Sequence, residues 1–241
     1  MGQICIICAI RQETQPIFKR FTAKAVSGCT DFPAWSFQAS GQNVTLLESG
    51  IGVSNAAEAA LQAAALGPDI IISAGFCGAL SPESCVGEVL LAKKLYSCSS
   101  GSITAELTPD QKLATLLGAG FKRGNFITTD EIVAKAHIFS LLPDPAALNI
   151  LEMESSAVAQ VCSTTGIRFT AIRSVSDSAE QDPSRLFQQI CDNDFKIGMA
   201  SVAFSLLQKP ALLPEYIQLF RNTAIAGKSL SEAIEFALER I

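Results

Sequence analysis

Asp69-Ile70-Ile71-Ile72-Ser73-Ala74-Gly75-Phe76-Cys77-Gly78-Ala79-Leu80 decides the fold class. A short run over 69–73, apolar at its centre, reads as a strand buried on both faces, followed by a run of small residues. Directly before it, residues 54–66 form an Ala-rich helical stretch that ends at Gly67-Pro68. A helix, a Gly-Pro stop and a buried strand in succession are the unit of an α/β domain. Working outward, the same alternation recurs. Residues 4–9 read as a first strand and 13–21 as a helix. Residues 35–39 and 44–48, separated by Ser40-Gly41-Gln42-Asn43, read as a hairpin. Further strands are expected at 87–96, 121–128, 148–151 and 168–175. Helices are expected at 109–117, 131–141 and 155–165, with a long one after the last strand to about Leu207. The expectation is an α/β fold with a central mixed, twisted sheet flanked by helices.

Nothing in the 241 residues looks like a linker, a repeat or a low-complexity segment, so one domain over 1–241 is expected, with 210–241 as a C-terminal helical extension. In that extension Ser229-Leu230-Ser231-Glu232 has capping-box spacing. Leu230, Ala233, Ile234, Ala237, Leu238 and Ile241 then share one helical stripe that suits packing against the body or a partner subunit.

Composition narrows the function. Hydrophobic residues make up 49% of the chain, charged residues only 17%, and the formal net charge is −5. That apolar fraction supports a sizeable core and argues against general disorder. The 18 Lys and Arg residues form no basic run, so no nucleic-acid surface is expected. One histidine, His137, excludes sites that need several, such as an HExxH helix, and it reads as a helix-surface residue. The apolar start of the chain lacks a basic leader and reads as a strand rather than a signal peptide. No run reaches the ~18 to 20 apolar residues of a membrane span, so a cytoplasmic protein is expected. Eight cysteines in a chain of this kind read as reduced, mostly buried thiols. Cys5 and Cys8 lie within one strand, whose period sends their side chains to opposite faces.

Three segments place glycines or acids at strand ends, where α/β sheets open their ligand crevices. Ser49-Gly50-Ile51-Gly52 leads into the Ala-rich helix, and its backbone N–H groups could face an anion or a hydroxyl, or simply make a tight turn. It lacks the third glycine of a dinucleotide fingerprint. Gly75 and Gly78 could form a ligand floor or a sharp turn. In the third segment, Leu151-Glu152-Met153-Glu154-Ser155 and Arg173-Ser174-Val175-Ser176-Asp177 put carboxylates where a buried sheet normally avoids them. Such acids are either bonded locally as helix caps or reserved for a ligand, and Arg173 is a natural ion-pair partner for Glu154 or Asp177.

These segments together carry a resemblance. Ala9-Ile10-Arg11-Gln12-Glu13, Ser49-Gly50-Ile51-Gly52, residues 69–80, Val86-Gly87-Glu88-Val89, Glu152-Met153-Glu154-Ser155-Ser156-Ala157 and Arg173-Ser174-Val175-Ser176-Asp177 occur in the order found in the purine nucleoside phosphorylase and nucleosidase superfamily. The chain is most similar there to methylthioadenosine/S-adenosylhomocysteine nucleosidases. The resemblance implies cleavage of an N-glycosidic bond without metal or organic cofactor. Asp177 would protonate the purine at N7, and Ser176 would position it. Glu154 would take the ribose hydroxyls, with Met153 as an apolar floor beneath the sugar. Glu13 would hold and activate the attacking water. Gly52, Gly75, Phe76, Ile132, Val133 and Arg173 complete the implied binding set. A small-molecule nucleoside as the ligand and a homodimer as the assembly are implied with it.

The chain also departs from the family pattern. Phe76 replaces a serine, Ile132 stands where an aromatic residue usually covers the purine, and the loop 97–102 is short. The base and the 5′ substituent are therefore open, with futalosine-type and adenosylhopane-type nucleosides as alternatives. Phosphorolysis is the alternative chemistry, for which Arg11 and Lys93-Lys94 are the candidate cations. A nucleoside-binding protein without turnover is the non-enzyme alternative. Asp130 is read either as a helix cap or as part of the base region.

Overall fold

The computed structural model describes residues 2–190 and 212–241. Its centre is a ten-stranded mixed sheet in the order β10-β6-β8-β9-β5-β1-β4-β3-β2, with β7 added beside β6. The strands are β1 Gln3–Cys8, β2 Lys24–Val26, β3 Ala34–Ala39, β4 Gln42–Glu48, β5 Ile70–Ala79, β6 Val89–Ser99, β7 Ser102–Leu107, β8 Lys122–Thr129, β9 Asn149–Glu152 and β10 Arg168–Asp177. Between them run α1 Arg11–Phe21, α2 Val53–Ala65, α3 Gln111–Leu117, α4 Lys135–Phe139, α5 Ser155–Thr165 and α6 Ser184–Ile190, and α7 Leu213–Leu238 comes last.

The sheet closes on itself along half of its width. Strand β5 pairs in parallel with β10, β10 antiparallel with β6, β6 in parallel with β8, β8 in parallel with β9, and β9 antiparallel with β5 again. Five strands thus form a ring, which removes their edges. From β5 the open half continues through β1 and β4, both parallel, to the antiparallel β3 and β2.

Helices cover both faces. Ala56, Ala59, Ala60 and Ala63 of α2 are fully buried at helical spacing, and with Val158, Ala159 and Cys162 of α5 they pack on one face around Cys5, Ile71 and Phe126. On the other face Ile17 of α1, Leu113 and Leu117 of α3, and Leu230, Ala233, Ile234, Ala237 and Leu238 of α7 pack on Ile4, Ile6, Cys8 and Ile72. Cys5 and Cys8 therefore do lie on opposite faces, and the described cysteines are free thiols.

Several sequence expectations need correction. The strand expected at 69–73 runs ten residues, and Gly75 and Gly78 lie inside it rather than in a turn. Pairing to β10 over 70–78 holds the small residues extended, and glycine inside a strand marks a close approach by something else. Segment 97–102 is the tip of a β6–β7 hairpin, whose second strand was not anticipated; nor was β2. The helix expected at 131–141 shrinks to α4, and Asp130 does not cap it but accepts from Ser99 Oγ at 2.5 Å. The capping box at Ser229 is not used. The helix is already formed from Leu213 and passes through this point, so Ser229 lies within α7 and Ser231 Oγ donates to Lys228 O inside the helix. After β10 the chain turns through 178–183 into α6. The rest of the long helix expected to reach Leu207 lies outside the described residues.

Candidate active site

Parallel pairing sends the C-terminal ends of β1, β5 and β10 to one rim of the sheet, and a cavity of about 330 Å³ opens there. Glu13, Phe76, Ile132, Val133, Met153, Glu154, Ser176 and Asp177 all line it. The structure therefore brings together both candidate catalytic residues and most of the candidate binding residues, from five separate parts of the chain.

Glu13 lies in the first turn of α1, just past the end of β1, and only 4% of it is exposed. Its Oε2 accepts from Ala9 N at 2.7 Å and Ile10 N at 3.1 Å, and Oε1 accepts from Phe76 N at 2.7 Å. Burial raises the pKa of this carboxyl, opposed by Arg173 and by the three N–H donors. Gly75 does not line the cavity; it makes room for Glu13. A Cβ at Gly75 would stand 2.6 Å from Glu13 Oε1.

The end of β9 carries two acids with different tasks. Glu152 Oε2 accepts from Glu154 N at 3.0 Å, Ser155 N at 2.8 Å and Arg173 Nη2 at 2.7 Å, so it closes the start of α5. Its Oε1 accepts from Thr128 Oγ1. Glu154 is less tied. Oε1 accepts from Gly52 N at 3.1 Å, and Oε2 lies 3.5 Å from Arg173 Nη2. Burial and the neighbouring Glu152, against the pull of Arg173, push the Glu154 carboxyl up to about 8. Gly52 and Arg173 thus contribute from behind the cavity wall. Arg173 is 1% exposed and also donates to Ser73 Oγ at 3.1 Å; it joins Glu152 and Glu154 rather than Asp177.

Asp177 ends β10. Ser176 Oγ donates to its Oδ1 at 2.7 Å, and the Lys135 ammonium lies 2.5 Å from Oδ2. Burial raises the Asp177 pKa, and Lys135 and Ser176 oppose that rise. The sequence reading did not single out Lys135. Its one signal was a lysine following the Ile132-Val133-Ala134 stretch, and nothing local says that such a side chain is buried. Also missed was a wall made by Pro183, Phe187, Tyr216, Leu219, Phe220 and Thr223, from the turn after β10, from α6 and from α7. Helical spacing at 216, 219, 220 and 223 was the available cue.

The phosphate candidates lie elsewhere. Arg11 stacks over Phe18 and Trp35, with its guanidinium carbon 4.6 and 5.3 Å from the two ring centroids. Lys94 pairs with Glu106 at 2.6 Å, and Lys93 is exposed. Among the described residues Lys135 is the one cation that lines the cavity, facing Glu13, Glu131, Glu152, Glu154, Asp177 and Asp182. His137 is exposed and is absent from this lining. Among the described residues no helix is long and apolar enough to cross a membrane.

The chain is 24% identical over 208 residues to the 5′-methylthioadenosine/S-adenosylhomocysteine nucleosidase of Actinobacillus succinogenes, covering 78% of this chain and 90% of that protein. Its fold matches the nucleosidase of the same name from Neisseria meningitidis, solved with methylthio-immucillin-A, at a TM-score of 0.75 and 21% identity, covering all of both chains. It matches the futalosine hydrolase of Helicobacter pylori at a TM-score of 0.75 and 15% identity, covering all of this chain and 98% of that one. The model of the phosphorylase superfamily matches residues 3–201, most of the chain and every strand of the sheet, and the protein belongs to that superfamily.

Proposed function

We propose that the protein hydrolyses the N-glycosidic bond of a purine nucleoside, releasing free base and a ribosyl product. One observation carries the reading: three buried carboxylates, Glu13, Glu154 and Asp177, surround one cavity whose described lining contains no cluster of cations fit for phosphate. Cleavage passes through a cation-like ribosyl group, which carboxylates stabilise. The base must leave as a neutral species, which calls for a proton. Asp177 supplies it to N7, and Ser176 Oγ fixes the carboxyl's orientation. Glu154 binds the ribose hydroxyls, and its high pKa leaves it able to donate as well as accept at neutral pH. Met153 supports the sugar. Glu13, anchored by three backbone donors, takes the proton of the attacking water. Ile132, Val133 and Phe76 give the base an apolar surround.

The best-supported substrate is an adenosine-type nucleoside with an apolar 5′ group, as in methylthioadenosine. A second reading, an adenosylhopane-type nucleoside, is favoured by the apolar wall of Phe187, Tyr216, Leu219 and Phe220. Base release from adenosine, methylthioadenosine, S-adenosylhomocysteine, inosine and futalosine, with and without phosphate, tests the function. Release is expected in phosphate-free buffer, and Glu13→Gln and Asp177→Asn should each lower kcat by ~10²–10⁴-fold. Release only on adding phosphate would establish phosphorolysis, and tight binding without release would establish a binding protein. A cytoplasmic homodimer belongs to the same proposal. Light scattering should give twice the chain mass, and a monomer would count against it.

A further inference from the structure

Lys135 opens α4 and is 4% exposed. Its backbone N–H donates to Asp182 Oδ2 at 3.1 Å, and its Nζ donates to Ser178 O at 2.7 Å and Asp177 O at 3.3 Å. These anchors fix the ammonium 2.5 Å from Asp177 Oδ2. The sheet makes room for the pair. A Cβ at Gly78 would lie 2.6 Å from Asp177 Oδ2 and 2.8 Å from Lys135 Cε. Both partners line the cavity, so the ion pair faces its interior.

An ion pair in such a place is expensive, because two desolvated charges are often no more stable than two apolar side chains of similar size. Stability alone therefore gives little reason for it. The chemistry proposed above gives one. When Asp177 passes its proton to N7, the O–H bond breaks, the N7–H bond forms, and the C1′–N9 electron pair stays with the base. A buried carboxylate is left behind. The ammonium beside it, keeping its own proton throughout, stabilises that product. The proton that Glu13 takes from water restores Asp177 through solvent, so the cycle balances.

We propose that Lys135 is a positioning residue for the proton step, its ammonium held against Asp177 so that the carboxylate is the form to which the reaction runs. The inference rests on the hydrolase reading. The groups facing Asp177 are Lys135 from α4, Ser176 of its own strand, Cys77 of β5 and Asp182 of the following turn. Lysine is the one cation among these four, and it acts against the burial and the negative Asp182 that raise the acid's pKa.

The test compares pH profiles of kcat and kcat/KM for the full-length protein with Lys135→Met and Lys135→Arg. Lys135→Met is expected to move the alkaline limb up by about one pH unit or more and to lower plateau kcat about tenfold. Lys135→Arg should keep the limb within about half a unit. A limb that stays in place in Lys135→Met, or moves to lower pH, overturns the proposal. If Lys135→Met does not fold, Lys135→Gln replaces it with the same expectation. A carbon-13 titration of the Asp177 carboxyl without substrate, assigned by difference against Asp177→Asn, gives a second readout. It should show a lower pKa in the wild type than in the methionine or glutamine variant. That comparison stands even if the wild type releases no base, so failure of the hydrolase reading and failure of this one are told apart.

Discussion

Glu154 shares the rim of the cavity with Glu152 and Glu13, and Arg173 and the Gly52 N–H offset them only in part. For a carboxyl raised from its ordinary 4.5 to about 8, the folded state favours the protonated form. Its contribution to stability is therefore full below about 4.5 and is lost as the pH rises through about 8. Glu154→Gln cannot ionise. Its stability relative to wild type should rise between pH 5 and 8 by on the order of 1–3 kcal/mol, measured by denaturant melts at each pH. A constant difference would show that Glu154 is not so shifted. Gly75 makes the complementary case. An alanine there pushes on Glu13 Oε1, and a displacement of that carboxylate should cost about 100-fold in kcat with far-UV circular dichroism unchanged. At this scale the sequence was partly legible. Glu13, Glu154 and Asp177 stood out as acids in apolar surroundings. Lys135 did not, because its importance comes from reaching β10 from another element. Gly75 was noticed, but its purpose depends on Glu13, 62 residues earlier.

At the scale of elements, α7 does two jobs along its length. Its first half gives Tyr216, Leu219, Phe220 and Thr223 to the cavity, and its second half buries Leu230, Ile234 and Leu238 against the sheet. Gly227 lies between them, where a Cβ would stand 3.0 Å from Pro16 Cγ and 3.2 Å from Gln12 O, so α7 crosses closely over the helix that carries Glu13. Ile234→Ala should lower stability by ~2–5 kcal/mol in chemical denaturation while leaving KM within a factor of two. Phe220→Ala should do the reverse, changing KM for nucleosides with large 5′ groups more than it changes Tm. The stripe from Leu230 to Leu238 was readable because helical periodicity is local. The helix start was not, since a capping-box sequence is used only where the preceding residues leave the helix, and here they do not. Strand β5 extended past its apolar run for a related reason. Small residues have weak strand preference of their own, and β10 and β9 imposed it.

For the molecule as a whole, alternating helices and apolar strands were enough to anticipate a mixed sheet between two helical layers. Ring closure was not, because it depends on β9, four residues long, pairing with β8 on one side and β5 on the other. No periodicity in so short a segment announces two partners of opposite direction. The ring has a consequence for how such a protein can change. Glu152, Glu154, Arg173 and Asp177 hang on or next to strands of the closed ring, where moving one member displaces the others, so in the proposed reaction these four keep their register as a unit, while Glu13 joins them from α1. The wall of 183–187 and 216–223 lies outside the ring and contributes no strand to it. In the proposed reaction, changing that wall is a modular alteration that refits the pocket to a different nucleoside tail and leaves the carboxylates on the ring in place.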